Sequence, residues 1–203
     1  MIIKKILSLA ASIISLFILQ FIFLVNSISQ ENNIKSYSRD SGVLSLMYHR
    51  FNENKYPSTN IRMDMFDEQM KIIKSQGYEF YDPKNFLNEF NKVKKNKKIL
   101  ITIDDGFKSF YNKAWPYLKK NKIPFILFVS TEPVGKKGYM TWDEIKEIDG
   151  SGIGYIGHHS HTHEYLIDMT EKEFIKDIET ATEIFKNKLG YVPPILSYPF
   201  GEY

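Results

Sequence analysis

The stretch KILITIDDGF, residues 98–107, predicts a buried strand that ends in two adjacent carboxylates. Residues 98–104 are apolar on both faces, as is typical of a central parallel strand. Asp104, Asp105 and Gly106 follow, and glycine allows the chain to turn sharply behind the two acids. Because consecutive side chains leaving a strand point in opposite directions, Asp104 and Asp105 are predicted to face different groups.

On both sides of this strand, short apolar runs alternate with amphipathic segments. Strands are predicted at residues 43–49, 78–82, 98–104, 124–130, 152–157 and 194–200. Helices are predicted at residues 65–77, 83–93, 107–121, 141–148 and 170–190. Repeated strand–helix units imply an α/β fold whose parallel strands are joined by right-handed crossovers. Residues that follow these strands are therefore expected to meet at one edge of the sheet.

Individual residues predict where several of these helices begin or bend. Thr141 with Glu144, and Thr170 with Glu173, form capping boxes that open two helices. Pro116 lies inside the helix predicted at 107–121 and is expected to kink it.

A second stretch, GHHSHTHEYL at residues 157–166, contains four of the five histidines of the chain. His159 and His163, with Asp105 as a third ligand, predict a divalent metal site with open coordination positions. Asp104 is then assigned the role of general base, which takes a proton from the water that the metal activates. His158 and His161 are assigned no ligand role: one is expected to face solvent, and either could line the cleft.

Each of these patterns also has a plainer interpretation. An Asp-Asp-Gly sequence is often only a turn, and histidines clustered in a loop are often a solvated patch. Their occurrence together, each after a predicted strand, favours the catalytic metal site.

Two further segments are expected at the same edge. His49 ends the first strand, and a core histidine and a cleft-lining histidine are equally good interpretations of it. Residues 197–201, SYPFG, predict a rigid turn in which the N–H of Phe200 points into the cleft and stabilises an oxyanion. A simple surface turn is the alternative. Tyr198 is assigned, with Phe200 and His49, to substrate binding.

Composition limits the kinds of site and partner. The 203-residue chain has no cysteine and a formal net charge of +3. Disulfides and thiolate metal sites are excluded, so any metal must use histidine and carboxylate ligands. The lysines are spread along the chain, which does not favour nucleic-acid binding.

The N-terminus predicts export across a membrane. A short basic start containing Lys4 and Lys5 precedes an apolar run at 6–25. This order is typical of a signal peptide, and the run is also long enough for an uncleaved membrane anchor. We predict a signal peptide or anchor at 1–29, a linker at 30–42 and one domain at 43–203, located in the periplasm, in the cell envelope or outside the cell.

The motifs TIDDGF, HSHTH and SYPFG, in this order, resemble the first three motifs of the polysaccharide deacetylase family, also called the NodB homology domain or carbohydrate esterase family 4. The resemblance runs from residue 43 to the end of the chain, and LMYHRF at 46–51 is similar to a bacterial branch. It implies a deformed (β/α) barrel and a divalent metal, commonly zinc, with cobalt, nickel and iron also compatible. The implied ligands are Asp105, His159 and His163.

The implied reaction is removal of acetyl groups from an N-acetylated sugar polymer, with Asp104 as base and the N–H of Phe200 at the oxyanion. Peptidoglycan, an exopolysaccharide or a chitin-like chain would present such groups. The membrane is a further partner if the leader stays uncleaved.

Two features differ from the family pattern. The third motif usually begins with an arginine, where this chain has Ser197. The family continues into further strands that carry a late histidine acting as general acid, whereas this sequence ends at Tyr203. We therefore expect a C-terminally truncated, incomplete barrel that binds metal but deacetylates poorly by itself. A non-catalytic glycan-binding or inactive module is the alternative.

Overall fold

The computed structural model describes residues 42–85 and 97–203. The predicted signal or anchor at 1–29, nearly all of the linker and most of the helix predicted at 83–93 lie outside the described residues. Within the described ranges, none of the helices combines the length and the apolar character that crossing a bilayer requires.

The centre of the domain is a parallel sheet. The described strands are β1 (Val43–Tyr48), β2 (Arg50–Phe51), β3 (Asn60–Ile61), β4 (Glu79–Phe80), β5 (Lys98–Ile103), β6 (Phe125–Val129) and β7 (Gly154–His158). The main sheet has the order β1-β5-β6-β7, with β4 also beside β5, while β2 pairs with β3. All of these pairs are parallel. The expected α/β class is confirmed, and the sheet stays open within the described part of the chain.

Helices and short turns connect the strands. The α-helices are α1 (Met63–Ser75), α2 (Trp115–Asn121), α3 (Trp142–Asp149) and α4 (Glu171–Leu189). Three short 3-10 turns cover Pro83–Asn85, Leu166–Asp168 and Pro199–Gly201. Both predicted capping boxes are confirmed, at the first turns of α3 and α4.

The core lies on both faces of the sheet because β5 and β6 are buried along nearly their whole length. On one face, Ile101 and Leu127 belong to the large apolar cluster that also contains the helix side chains. On the other face, Leu100, Ile126 and Phe128 form a smaller cluster with Tyr81. This two-sided burial explains the continuous apolar run of β5.

The irregularity predicted at Pro116 takes the form of a π-helical turn. The turn covers Phe110–Ala114, and the N–H of Trp115 bonds to the carbonyl of Phe110, five residues earlier. Proline has no N–H to donate and crowds the preceding turn, so a wider turn before Pro116 relieves the conflict.

The prediction of a strand at 194–200 is wrong. Only Leu196 forms a bridge, with His158, and a 3-10 turn follows at Pro199–Gly201. Prolines at 193, 194 and 199 flank this bridge and cannot donate ladder hydrogen bonds, which limits the pairing to one rung.

Candidate metal and catalytic site

The predicted site residues meet at the carboxyl edge of the sheet. Asp104 follows β5, His159 follows β7 and His49 follows β1. Because these strands are parallel, their ends lie at the same edge. The N–H of Asp104 donates to the carbonyl of Tyr48 at 2.8 Å, which joins the ends of β1 and β5 directly.

The three predicted ligands converge. Oδ1 of Asp105 lies 2.9 Å from Nε2 of His163 and 3.4 Å from Nε2 of His159. One ligand atom from each residue lies within 4.8 Å of the other two. One carboxylate and two imidazoles with this spacing match the donor set of a catalytic divalent cation.

A backbone contact orients His159. Its Nδ1 lies 2.8 Å from the carbonyl oxygen of Ser197. A carbonyl only accepts, so Nδ1 carries the proton and Nε2 presents a lone pair towards Asp105. This second contact is typical of metal-ligating histidines.

The charges at the cluster agree with a cation site. Oδ1 of Asp105 is buried, and its contacts are with Nε2 of His159 and Nε2 of His163. Burial raises the pKa of Asp105, but the neighbouring imidazoles of His159 and His163 outweigh burial and hold it well below its usual range. Burial lowers the pKa of His163, but the hydrogen bond to Asp105 and the charge of Asp105 outweigh burial and raise this pKa above its usual value. Positive charge is therefore favoured here, and the residues fit a divalent cation.

Asp104 has a different environment from its neighbour. Its side chain is buried, and Oδ1 has no hydrogen-bond partner among the described residues. Burial is the main cause that raises the pKa of Asp104 to about 6, partly offset by the charge of His159. A carboxyl group with a pKa near neutrality suits a general base.

The turn after β5 separates the two acids. Asp105 has φ of 72° and Gly106 has φ of 70°, so two consecutive residues are left-handed. Aspartate tolerates this region better than most residues, and glycine adopts it without strain. The predicted role of Gly106 is confirmed.

Asp105, His163 and Phe200 line a cleft of about 460 Å³. The ring of Phe200 stacks on Tyr165, with centroids 3.8 Å apart, and its centroid lies 4.9 Å from that of His163. Phe200 has φ of 60°, so the turn predicted at SYPFG is tight. That its N–H serves as an oxyanion donor stays a prediction.

The two other predicted substrate-binding residues differ in position. His49 is half-buried; burial is the main cause that lowers its pKa, and the charges of Asp105, His159 and His163 also act on it. His49 therefore lies within electrostatic reach of the site. Tyr198 does not line the 460 Å³ cleft, and its ring lies 6.1 Å from that of Tyr203.

His158 and His161 have structural contacts. His158 is buried, its Nδ1 accepts from the N–H of Ser160, and its ring lies 5.2 Å from that of Phe185. His161 is half-buried, with Nδ1 2.7 Å from Oγ1 of Thr131. His158 is thus a core histidine, and His161 is not freely exposed to solvent.

Sequence reasoning missed Asp177 of α4. Its carboxylate is buried and accepts hydrogen bonds from the loop that carries the histidines. A signal was present, because residue 177 shares the buried stripe of α4 with Ala181 and Phe185. An acid on an apolar stripe indicates a specific partner.

Comparisons with known proteins show what this chain is similar to. YxkH of Bacillus subtilis (strain 168) is 30% identical over 160 residues, covering 78% of this chain and 56% of YxkH. The poly-beta-1,6-N-acetyl-D-glucosamine N-deacetylase of Staphylococcus aureus (strain MSSA476) is 25% identical over 80% of this chain and 66% of that protein. The chain thus spans less than two thirds of the length of either relative.

The structure of IcaB from Ammonifex degensii aligns with a TM-score of 0.72 and 30% identity, over 79% of this chain and 75% of that one. The profile described as polysaccharide deacetylase matches residues 91–203, which is more than half of the chain and includes Asp105, His159 and His163. The chain is therefore a member of the polysaccharide deacetylase family.

Proposed function

We propose that this protein is an exported, metal-dependent hydrolase that removes N-acetyl groups from a polysaccharide of the N-acetylglucosamine type. The convergence of Asp105, His159 and His163 carries this proposal, together with the buried Asp104, whose Oδ1 has no hydrogen-bond partner among the described residues. The similarity to the Staphylococcus aureus deacetylase supports the substrate class. The N-terminal sequence pattern supports export, and the similarity to IcaB supports placing the open sheet within a deformed (β/α) barrel.

Asp105, His159 and His163 would hold the cation, with zinc favoured and cobalt, nickel or iron compatible. A bound divalent cation would polarise the amide carbonyl of the substrate and lower the pKa of water. The protein supplies the cleft that Asp105 and His163 line, and Asp104, the neighbour of Asp105 in the chain, is left free to act as the base.

Asp104 accepts the proton of the attacking water in this proposal. As the water oxygen bonds to the carbonyl carbon, the N–H of Phe200 stabilises the developing oxyanion. The C–N bond then breaks, acetate leaves, and the sugar amine takes up a proton. A base with a pKa of about 6 is mostly ionised at neutral pH and still holds a transferred proton well enough to pass it on.

We assign His49, an imidazole that follows β1 at the same sheet edge, to substrate binding.

Acetate release from N-acetylglucosamine oligomers tests the proposal. The wild-type chain with zinc or cobalt is compared with Asp104→Asn, expected to lose about 100-fold or more of the rate while still binding metal. His49→Gln is a second arm, expected to slow release without loss of metal.

The alternative function is a glycan-binding module without catalysis. The specific feature that favours it is Ser197, which stands where the family pattern has an arginine. Glycan binding by the wild type and by Asp104→Asn, with no acetate released by either, would support that alternative and contradict the hydrolase.

A further inference from the structure

A buried carboxylate outside the predicted ligand set contacts the histidine loop. Asp177 projects from α4 and is 5% exposed. Its Oδ1 accepts from the N–H of His161 at 2.7 Å, and its Oδ2 accepts from the N–H and the hydroxyl of Thr162 at 2.9 and 2.7 Å. Because an unpaired buried carboxylate is costly, these three bonds explain how the charge is tolerated there.

The bonded residues stand between two of the predicted metal ligands. Ser160, His161 and Thr162 separate His159 from His163, and Asp177 holds the backbone of the last two of these three residues. Ser160 has φ of 66° and His163 has φ of 61°. Non-glycine residues keep this left-handed conformation only where their surroundings enforce it.

The segment that follows β6 donates hydrogen bonds to the backbone carbonyls of the histidine loop. The hydroxyl of Ser130 donates to the carbonyl of His159 at 2.6 Å, and the N–H of Glu132 donates to the carbonyl of His161 at 3.0 Å. These two contacts fix the carbonyl groups of His159 and His161. The N–H groups of His161 and Thr162 point the other way, to Asp177.

We propose that Asp177 is a positioning residue that sets the separation of the His159 and His163 imidazoles for the metal ion. The inference rests on the proposed metal-dependent function. A carboxylate suits this role because it offers only acceptors to three converging donors.

An asparagine at 177 has nearly the same shape but cannot accept all three bonds. Its oxygen can serve one side, and its NH₂ group then faces the other. The hydroxyl of Thr162 can rotate and accept from that NH₂, but the N–H of Thr162 cannot. The substitution therefore leaves a buried backbone donor opposed by another donor, and the loop must shift.

The test measures metal binding by the full chain without substrate. Wild type, Asp177→Asn and Glu179→Gln are stripped of metal and titrated with Zn²⁺, and the visible spectrum of each Co²⁺ form is recorded. Glu179 is an exposed acid on the same helix, so Glu179→Gln is the matched control. We expect Asp177→Asn to raise the Kd for zinc about 10- to 100-fold and to change the cobalt spectrum, with no change in Glu179→Gln.

The cobalt spectrum separates positioning from simple stability. A purely structural role would lower the melting temperature of Asp177→Asn and leave the cobalt bands of its folded form unchanged. A folded Asp177→Asn with the wild-type zinc Kd and cobalt spectrum would overturn the inference.

A second variant decides the matter if Asp177→Asn does not fold. Thr162→Val removes only the hydroxyl donor and should raise the zinc Kd about three- to tenfold. An unchanged zinc Kd and cobalt spectrum in Thr162→Val would overturn this inference and leave the proposed function standing. A wild-type chain that binds neither zinc nor cobalt would overturn the proposed function and this inference with it.

Discussion

At the scale of single residues, the two adjacent acids show how burial and charge assign different chemistry to one side-chain type. Asp105 faces two imidazoles, which hold its pKa well below the usual range despite burial. Asp104 is buried without a hydrogen-bond partner for Oδ1 among the described residues, and burial raises its pKa to about 6. Such a separation is characteristic of functional sites.

The raised pKa of Asp104 predicts a pH-dependent stability difference. The folded chain binds this proton more tightly than the unfolded chain, in which the pKa of the carboxyl group is near 3.8. The contribution of Asp104 to stability is therefore fully present below pH 3.8 and is lost as pH rises through 6. We expect Asp104→Asn to increase the free energy of unfolding of the metal-free chain by about 1–3 kcal/mol at pH 8, and by nothing below pH 4.

Urea unfolding at pH 3.5 and pH 8 measures this difference. Asp168→Asn, at an exposed acid near the same loop, is the control. An Asp104→Asn chain less stable than wild type at pH 8 would contradict the assignment of an unfavourable buried charge.

At the scale of elements, β7 carries the histidine loop and depends on glycine for its contact with β6. A Cβ at Gly157 would lie 2.3 Å from Cδ1 of Phe128 and 3.0 Å from Cγ2 of Ile126. The ring of Phe128 in turn lies 6.2 Å from that of His159. A methyl group at 157 would therefore push on the ring of Phe128, which packs beside His159, a predicted metal ligand.

We expect Gly157→Ala to lower the free energy of unfolding by about 1–3 kcal/mol and to weaken zinc binding. Gly150→Ala, at the end of α3, is the control, since its nearest contact would be 3.4 Å away and its φ is −73°. Its effect should stay within about 0.5 kcal/mol. Equal melting temperatures and zinc affinities for the two variants would show that β7 tolerates the added group.

At the scale of the whole molecule, the predicted metal ligands come from distant parts of the chain. Asp105 follows β5, whereas His159 and His163 follow β7, with β6 between these strands. A cation held by all three binds only the folded chain with this geometry. Zinc at 100 times its Kd should then stabilise the domain by about 2.7 kcal/mol.

Melting temperatures recorded with zinc and after chelation of the zinc measure this stabilisation. The wild type should melt several degrees higher with zinc, and Asp105→Asn should lose most of the shift. An equal zinc-induced shift in both chains would place the metal elsewhere.

Local sequence pattern alone determined the parallel α/β class, the strand at 98–104, both capping boxes and the convergence of Asp105, His159 and His163. These features follow from apolar periodicity, from contacts three residues apart, and from the rule that parallel strands end at one edge. Tertiary structure decided the single-rung bridge at Leu196, the Ser197 carbonyl on His159, the raised pKa of Asp104 and the anchoring carboxylate of Asp177. Each depends on which groups far apart in the chain share a buried space, because burial and hydrogen-bond partners set the energy of a polar group.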